Sequence, residues 1–136
     1  MPTRLAALSI LLGLAGCAAA PRPSAERAPA GAYGRSEATA IRVGAVDGDP
    51  RSGPQRERAY LDRLRTPTGA PVSYEREGSC CGFETPNSPL GAGMLDLYEV
   101  WGPGVDGRVR LYLNMYDPPV AGESDSAPPG FTIVAG

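Results

Sequence analysis

The sequence predicts a small α+β domain: an antiparallel sheet of four to five strands with one helix packed on one face. Three observations carry this. Met94 to Trp101 and Arg108 to Tyr116 are rich in aromatic and branched residues and are joined by the turn-forming run 102–107, the pattern of a β-hairpin. One stretch, beginning at Ser52, has a capped start and a helical apolar stripe. Two shorter alternating runs, near 39–46 and 72–77, supply flanking strands. A sheet with one apolar face and one amphipathic helix bury each other as two layers.

Taken in order, Thr39 to Val46 alternates, with Ile41, Val43 and Ala45 facing one way. Asp47-Gly48-Asp49-Pro50 breaks that strand. Ser52 and Gln55 have capping-box spacing, and Pro54 falls in the first turn, where a missing N–H costs nothing. Tyr60, Leu61 and Leu64 form the stripe, and Pro67 and Gly69 end the helix. Arg56, Arg58, Arg63 and Arg65 read as its solvated face. Val72 to Glu77 is a polar strand suited to a sheet edge. Gly78 to about Gly93 reads as a long loop, because glycine and proline punctuate it. In the hairpin, Leu95, Leu97 and Trp101 are expected to share the core face with Val109, Leu111, Leu113 and Met115. Asp96, Tyr98, Arg110, Tyr112, Asn114 and Tyr116 then form the outer face, with Tyr98 opposite Arg110 and Asp96 opposite Tyr112. Phe131 to Val134 is expected either to dock as a short edge strand or to pack Phe131 on the core.

Composition excludes several chemistries. The chain has 136 residues and a formal charge of −2, which gives no footprint for nucleic acid. All 13 basic residues are arginine. Without lysine there is no Schiff-base catalysis, and without histidine there is neither an imidazole base nor an imidazole-ligated zinc site. Three cysteines cannot form a four-thiolate metal centre. No cofactor and no metal are expected.

The N-terminus carries a targeting signal. Arg4 precedes an apolar run, Leu5 to Leu14, that is too short to span a bilayer. It ends in Leu14-Ala15-Gly16-Cys17, which resembles the lipobox of bacterial lipoproteins. The resemblance implies cleavage after Gly16 and lipidation of Cys17, whose thiol becomes the thioether that carries the lipid. Several acyl chains together give stable attachment, at ~0.8 kcal/mol per buried methylene. Ala18 stands where an aspartate would signal inner-membrane retention, so the outer membrane is the expected address, with the domain facing the periplasm or the cell surface. The expected organisation is a signal peptide over 1–16, a lipidated cysteine and flexible tether over 17–37, and a single α+β domain over 38–136.

Cys80 and Cys81 are the sharpest feature of the mature part. An oxidising compartment favours pairing of thiols. Adjacent Cα atoms lie only ~3.8 Å apart, below the usual disulfide range, so a bond between neighbours is strained and readily reduced. Three readings stand: a vicinal disulfide acting as a rigid turn or apolar platform, two reduced cysteines acting as small apolar residues, or a working redox or soft-metal site. Nearby acids, among them Glu84, Asp96 and Glu99, leave an acid-pair hydrolase as a further option.

The run Gly78-Ser79-Cys80-Cys81-Gly82-Phe83-Glu84-Thr85-Pro86-Asn87, with Leu97-Tyr98-Glu99-Val100 and the run 111–117, resembles a group of small bacterial lipoproteins of unknown function. Some members carry the label 2-dehydro-3-deoxyphosphooctonate aldolase. That enzyme's (β/α)8 barrel needs ~250 residues, and its chemistry draws on lysine and histidine, which this chain lacks. The expected function is therefore a membrane-tethered, non-enzymatic binding or structural role, with the lipid bilayer and an envelope protein as partners. The expected binding surface comprises Phe83, Glu84, Asn87, Asp96, Tyr98, Arg110, Tyr112 and Asn114.

Overall fold

The structure is a computed structural model and describes residues 32–136. The expected signal peptide and Cys17 lie outside the described residues. A short 3-10 turn, Glu37–Thr39, leads into β1 (Ile41–Arg42); then follow α1 (Gly53–Leu61), β2 (Leu64–Arg65), β3 (Ser73–Glu84), β4 (Ala92–Trp101), β5 (Val109–Asn114) and β6 (Thr132–Ile133). Four strands form a sheet in the order β1-β5-β4-β3, and β2 and β6 form a separate antiparallel pair. The α+β class holds, but the sheet is mixed, because β1 runs parallel to β5 with Ile41 beside Leu113. Parallel entry places Ile41 fully inside, and the pairing continues past the strand as Val43 N–H donates to Asn114 O at 2.8 Å.

The helix starts as its sequence requires. Gln55 Oε1 accepts from the Ser52 N–H at 2.8 Å, and Pro54 occupies the first turn. Tyr60 and Leu61 face the sheet and join Ile41, Val100, Leu111 and Leu113 in the core. Each fully buried leucine or valine contributes ~1.5–3 kcal/mol relative to exposure. The helix is shorter than its apolar stripe suggested. Leu64 is fully buried, but it belongs to β2, where it pairs with Ile133. The C-terminal stretch does both things expected of it as alternatives: β6 docks on β2, and Phe131 packs into the core at 8% exposure.

The folded part begins earlier than residue 38. Tyr112 N–H donates to Gly34 O at 2.9 Å, Arg35 donates to Pro129 O at 2.6 Å, and Tyr33 packs against the core cluster. Residues 32–37, expected in the tether, are therefore part of the domain. The arginines of α1 also differ from expectation. Arg56 donates to the carbonyls of Val43, Arg51 and Met115, and Arg63 to those of Val134 and Ser124. Both are staples between elements rather than a solvated face, whereas Arg58 is exposed.

The hairpin β4–β5 is where expected, but β4 faces the other way. Asp96 pairs with Leu113, Tyr98 with Leu111, and Val100 with Val109. Asp96, Tyr98 and Val100 thus point under α1, at 2%, 3% and 0% exposure, while Leu97 and Glu99 share the uncovered face with Tyr112 and Arg110. The reason is chemical. Tyr98 donates its hydroxyl to Glu57 of α1, and Asp96 meets Arg76 and Ser79 of β3, so polar groups with partners took the interior.

Candidate functional site

The stretch expected to be a long loop is mostly strand. β3 continues unbroken through Cys80 and Cys81 to Glu84, and only 85–91 turns. Regular pairing survives its glycines because the extra residues are absorbed as irregularities, between Arg76 and Gly78 and between Cys80 and Gly82. β3 is an edge strand, so its second row of backbone groups faces away from the sheet. Cys80 sits directly opposite Leu95 and Gly82 opposite Met94. Cys81 is the extra residue between them.

Cys80 and Cys81 are joined by a disulfide. Cys81 has φ +59°, the sole non-glycine residue with positive φ among the described residues. A β-carbon in that region costs roughly 1–2 kcal/mol. Both cysteines are half-buried. Leu95, at 4% exposure, lies across from Cys80, yet stands outside the main core cluster. The disulfide therefore lies on the sheet face that α1 does not cover.

Beyond the disulfide, β3 is clasped to the end of β5. The Phe83 and Tyr116 rings meet edge to face at 6.0 Å. Gly93, opposite Phe83, makes room: a β-carbon there would stand 2.7 Å from the Tyr116 ring. Thr85 Oγ1 and Asn87 Nδ2 both donate to Asp117 Oδ1, and Asn114 Nδ2 donates to Oδ2 at 2.9 Å. Asn114 Oδ1 accepts the backbone N–H groups of Tyr116 and Asp117. Burial pushes the Asp117 carboxyl up, but the hydrogen bonds from Thr85, Asn87 and Asn114 outweigh it and hold its pKa below the usual range. The two motifs that lie thirty residues apart in sequence are thus one structural knot.

Under α1 lies a second polar cluster. Arg76 forks onto Asp96 through Nε–Oδ2 at 2.9 Å and Nη2–Oδ1 at 2.8 Å, and Ser79 Oγ donates to Oδ1 at 2.7 Å. Burial raises the Asp96 pKa, but these bonds and the Arg76 charge bring it below normal. Glu57 is fully buried, accepts from Tyr98 at 3.0 Å through Oε2, and its Oε1 has no partner. Burial, then the Asp96 charge, pushes Glu57 up to about 8. The raised value keeps the proton on Glu57 at neutral pH, which spares a second buried negative charge near the Asp96 carboxylate.

The expected surface residues therefore separate. Asp96, Tyr98 and Asn114 are buried, and Phe83 and Asn87 hold the knot. Glu84 is exposed at the end of β3. Arg110 and Tyr112 lie on the uncovered face, where Arg110 is forked onto Glu77. Glu84, Asp96 and Glu99 are not brought together: Asp96 faces α1, Glu84 lies at the end of β3, and Glu99 bonds Arg108 on the opposite face. Residues missed in the sequence are Glu75, Leu97 and Trp101 on that open face, with Arg108 lying 4.0 Å over the Trp101 ring. Their signal was present. Glu75 and Glu77 on β3 have the same two-residue spacing as Arg108 and Arg110 at the start of β5, and both pairs are bonded across the sheet. No protein-family model, no curated protein and no solved structure matches the chain.

Proposed function

We propose that the chain is a lipid-anchored envelope domain with a non-enzymatic binding role, presenting the uncovered sheet face around the Cys80–Cys81 disulfide to an envelope protein. The observation that carries this is the bonded cysteine pair on the one sheet face the helix leaves open. A disulfide in a strand fits an oxidising compartment, which is the compartment a lipobox at Cys17 leads to. Tyr112 and Leu97 beside it supply apolar area, and the flanking ion pairs supply a polar rim. The placement of the acids suited to hydrolysis supports this reading, since Asp96 is buried under α1 and Glu84 and Glu99 lie apart from it.

The test has two arms. Palmitate-analogue labelling is expected to mark the protein and to be abolished by Cys17→Ala. A photocrosslinker at Tyr112 or Leu97 is expected to capture an envelope protein in native membranes, and one at Arg58 is not. Equal capture from both positions would count against the sheet face.

A second reading is favoured by the left-handed backbone at Cys81. In thiol–disulfide exchange, a thiolate of an external dithiol attacks one sulfur, and the dithiol's second thiol resolves the mixed disulfide. The dithiol leaves oxidised, and Cys80 and Cys81 leave as two thiols. Reduction releases Cys81 from the strained conformation. Thiol labelling across a series of dithiol buffers checks this. A pair that stays oxidised in all of them, or a Cys80→Ser, Cys81→Ser double variant with an intact envelope phenotype, removes redox work.

A further inference from the structure

We infer that a second site, a cleft between the end of β1 and the flank of α1, binds a small oxyanion, carboxylate or phosphate, that carries a compact apolar body. The cleft has a volume of about 380 Å³, the size of a metabolite site. It is distinct from the disulfide face discussed above, because it lies between the end of β1, the middle and C-terminal end of α1 and the segments near Pro119 and Ser124.

Its charge is unbalanced. Four arginines line it, Arg42, Arg51, Arg56 and Arg63, against one acidic side chain, Asp49. Arg51 is taken up by Asp49 at 2.9 Å, and Arg63 is bonded to Asp125 outside the cleft. Arg42 and Arg56 act on Asp117 and Asp49 only at a distance, with no ion pair of their own among the described residues. Arg56 donates only to backbone carbonyls, which hold its geometry but cancel no charge. Arg42 is exposed and makes no hydrogen bond or ion pair with the described residues. Asp117 feels the Arg42 charge, but its oxygens already accept from Thr85, Asn87 and Asn114.

The geometry favours an anion over a structural role alone. Arg56 is fixed by three bonds to elements on both sides, so it presents its remaining donors without losing rotamer freedom on binding. Arg42 can close from the rim. Val43, Ala59 and the Tyr60 ring make the wall apolar, which selects a ligand with a hydrophobic portion over a bare ion.

Calorimetric titration of the full-length protein in detergent tests this, with phenyl phosphate, benzoate and inorganic phosphate as probes. Phenyl phosphate or benzoate is expected to bind saturably, more weakly as salt rises. Arg42→Ala removes an exposed side chain without disturbing the fold and is expected to weaken binding about tenfold or more. Arg58→Ala, on the same helix but outside the cleft, is expected to leave it unchanged. No saturable binding by either aromatic probe, or equal affinity in Arg42→Ala, overturns the site. Inorganic phosphate binding as tightly as phenyl phosphate overturns the apolar part of the assignment.

Discussion

The two faces of the sheet hold the same interaction in different solvents. Beneath α1, Arg76 forks onto Asp96 at 2.9 and 2.8 Å; on the open face, Arg110 forks onto Glu77 at 2.6 and 2.8 Å. The guanidinium groups are about equally exposed, at 47% and 53%. The carboxylates are not: Asp96 keeps 2% exposure and Glu77 25%. Fork geometry is therefore common to both, and only the water around the acid differs. A carboxylate in water has an alternative partner for every bond it makes, while Asp96 has only Arg76 and Ser79. The inner pair fixes which way β4 faces; the outer pair decorates a face already fixed.

That contrast can be broken by substitution. Asp96→Ala is expected to have the largest effect, a loss of ~3 kcal/mol in urea denaturation, near the lower end for a broken buried pair because Arg76 remains half in water. A loss indistinguishable from that of an open-face variant would show that burial does not divide the two faces.

Glu57→Gln comes next, and with the opposite sign. Glu57 titrates near 8 in the folded chain against an ordinary value of 4.5. Below pH 4.5 both states hold the proton and its contribution is complete. Between there and pH 8 the unfolded chain releases the proton while the folded chain keeps it, so stability falls as pH rises, by at most ~1.4 kcal/mol per pH unit. Asp96, held below its usual range, acts in reverse and loses its contribution only in acid. Glu57→Gln is thus expected to gain stability at pH 8 and to flatten the stability profile between pH 5 and 8, read from denaturation midpoints across pH. An unchanged slope would mean that Glu57 is ionised in the fold.

A smaller effect is expected where the faces meet the edge. With the disulfide removed, Cys80→Ala/Cys81→Gly should exceed Cys80→Ala/Cys81→Ala in stability by ~1 kcal/mol, because only the glycine is at ease with φ +59°. Equal stabilities would show that the backbone relaxes once the bond is gone. Smallest of all is Arg110→Ala, which is expected to leave the denaturation midpoint within experimental scatter at physiological salt.

What could be read from the sequence follows the same division. The helix start was legible because its signals are local: Ser52, Pro54 and Gln55 act within one turn. The hairpin was legible because its strands are long and its loop is polar. The facing of β4 was not. Leu95 and Leu97 alternate in step with Asp96 and Tyr98, so period 2 is plain but its phase is not, and hydrophobicity chose the wrong phase. The deciding partners, Glu57 and Arg76, lie 39 and 20 positions from Asp96, too far for any local pattern to pair them. The cysteine stretch failed for a related reason. Gly78 and Gly82 are ordinary loop signals, but next to a paired strand they are equally what a bulge requires. Likewise Phe83 and Asn87 looked like a surface, whereas their partners Tyr116 and Asp117 make them part of a knot.

The irregularities of β3 have one more consequence. Under the anchoring proposed above, neighbours on a membrane plane would meet at effective concentrations on the order of millimolar, where an open strand twelve residues long would recruit its own kind into ribbons. Two breaks in spacing, a crosslinked kink and the charges of Glu75, Arg76 and Glu77 spoil that template. Such an edge is a poor template for a second copy of the chain.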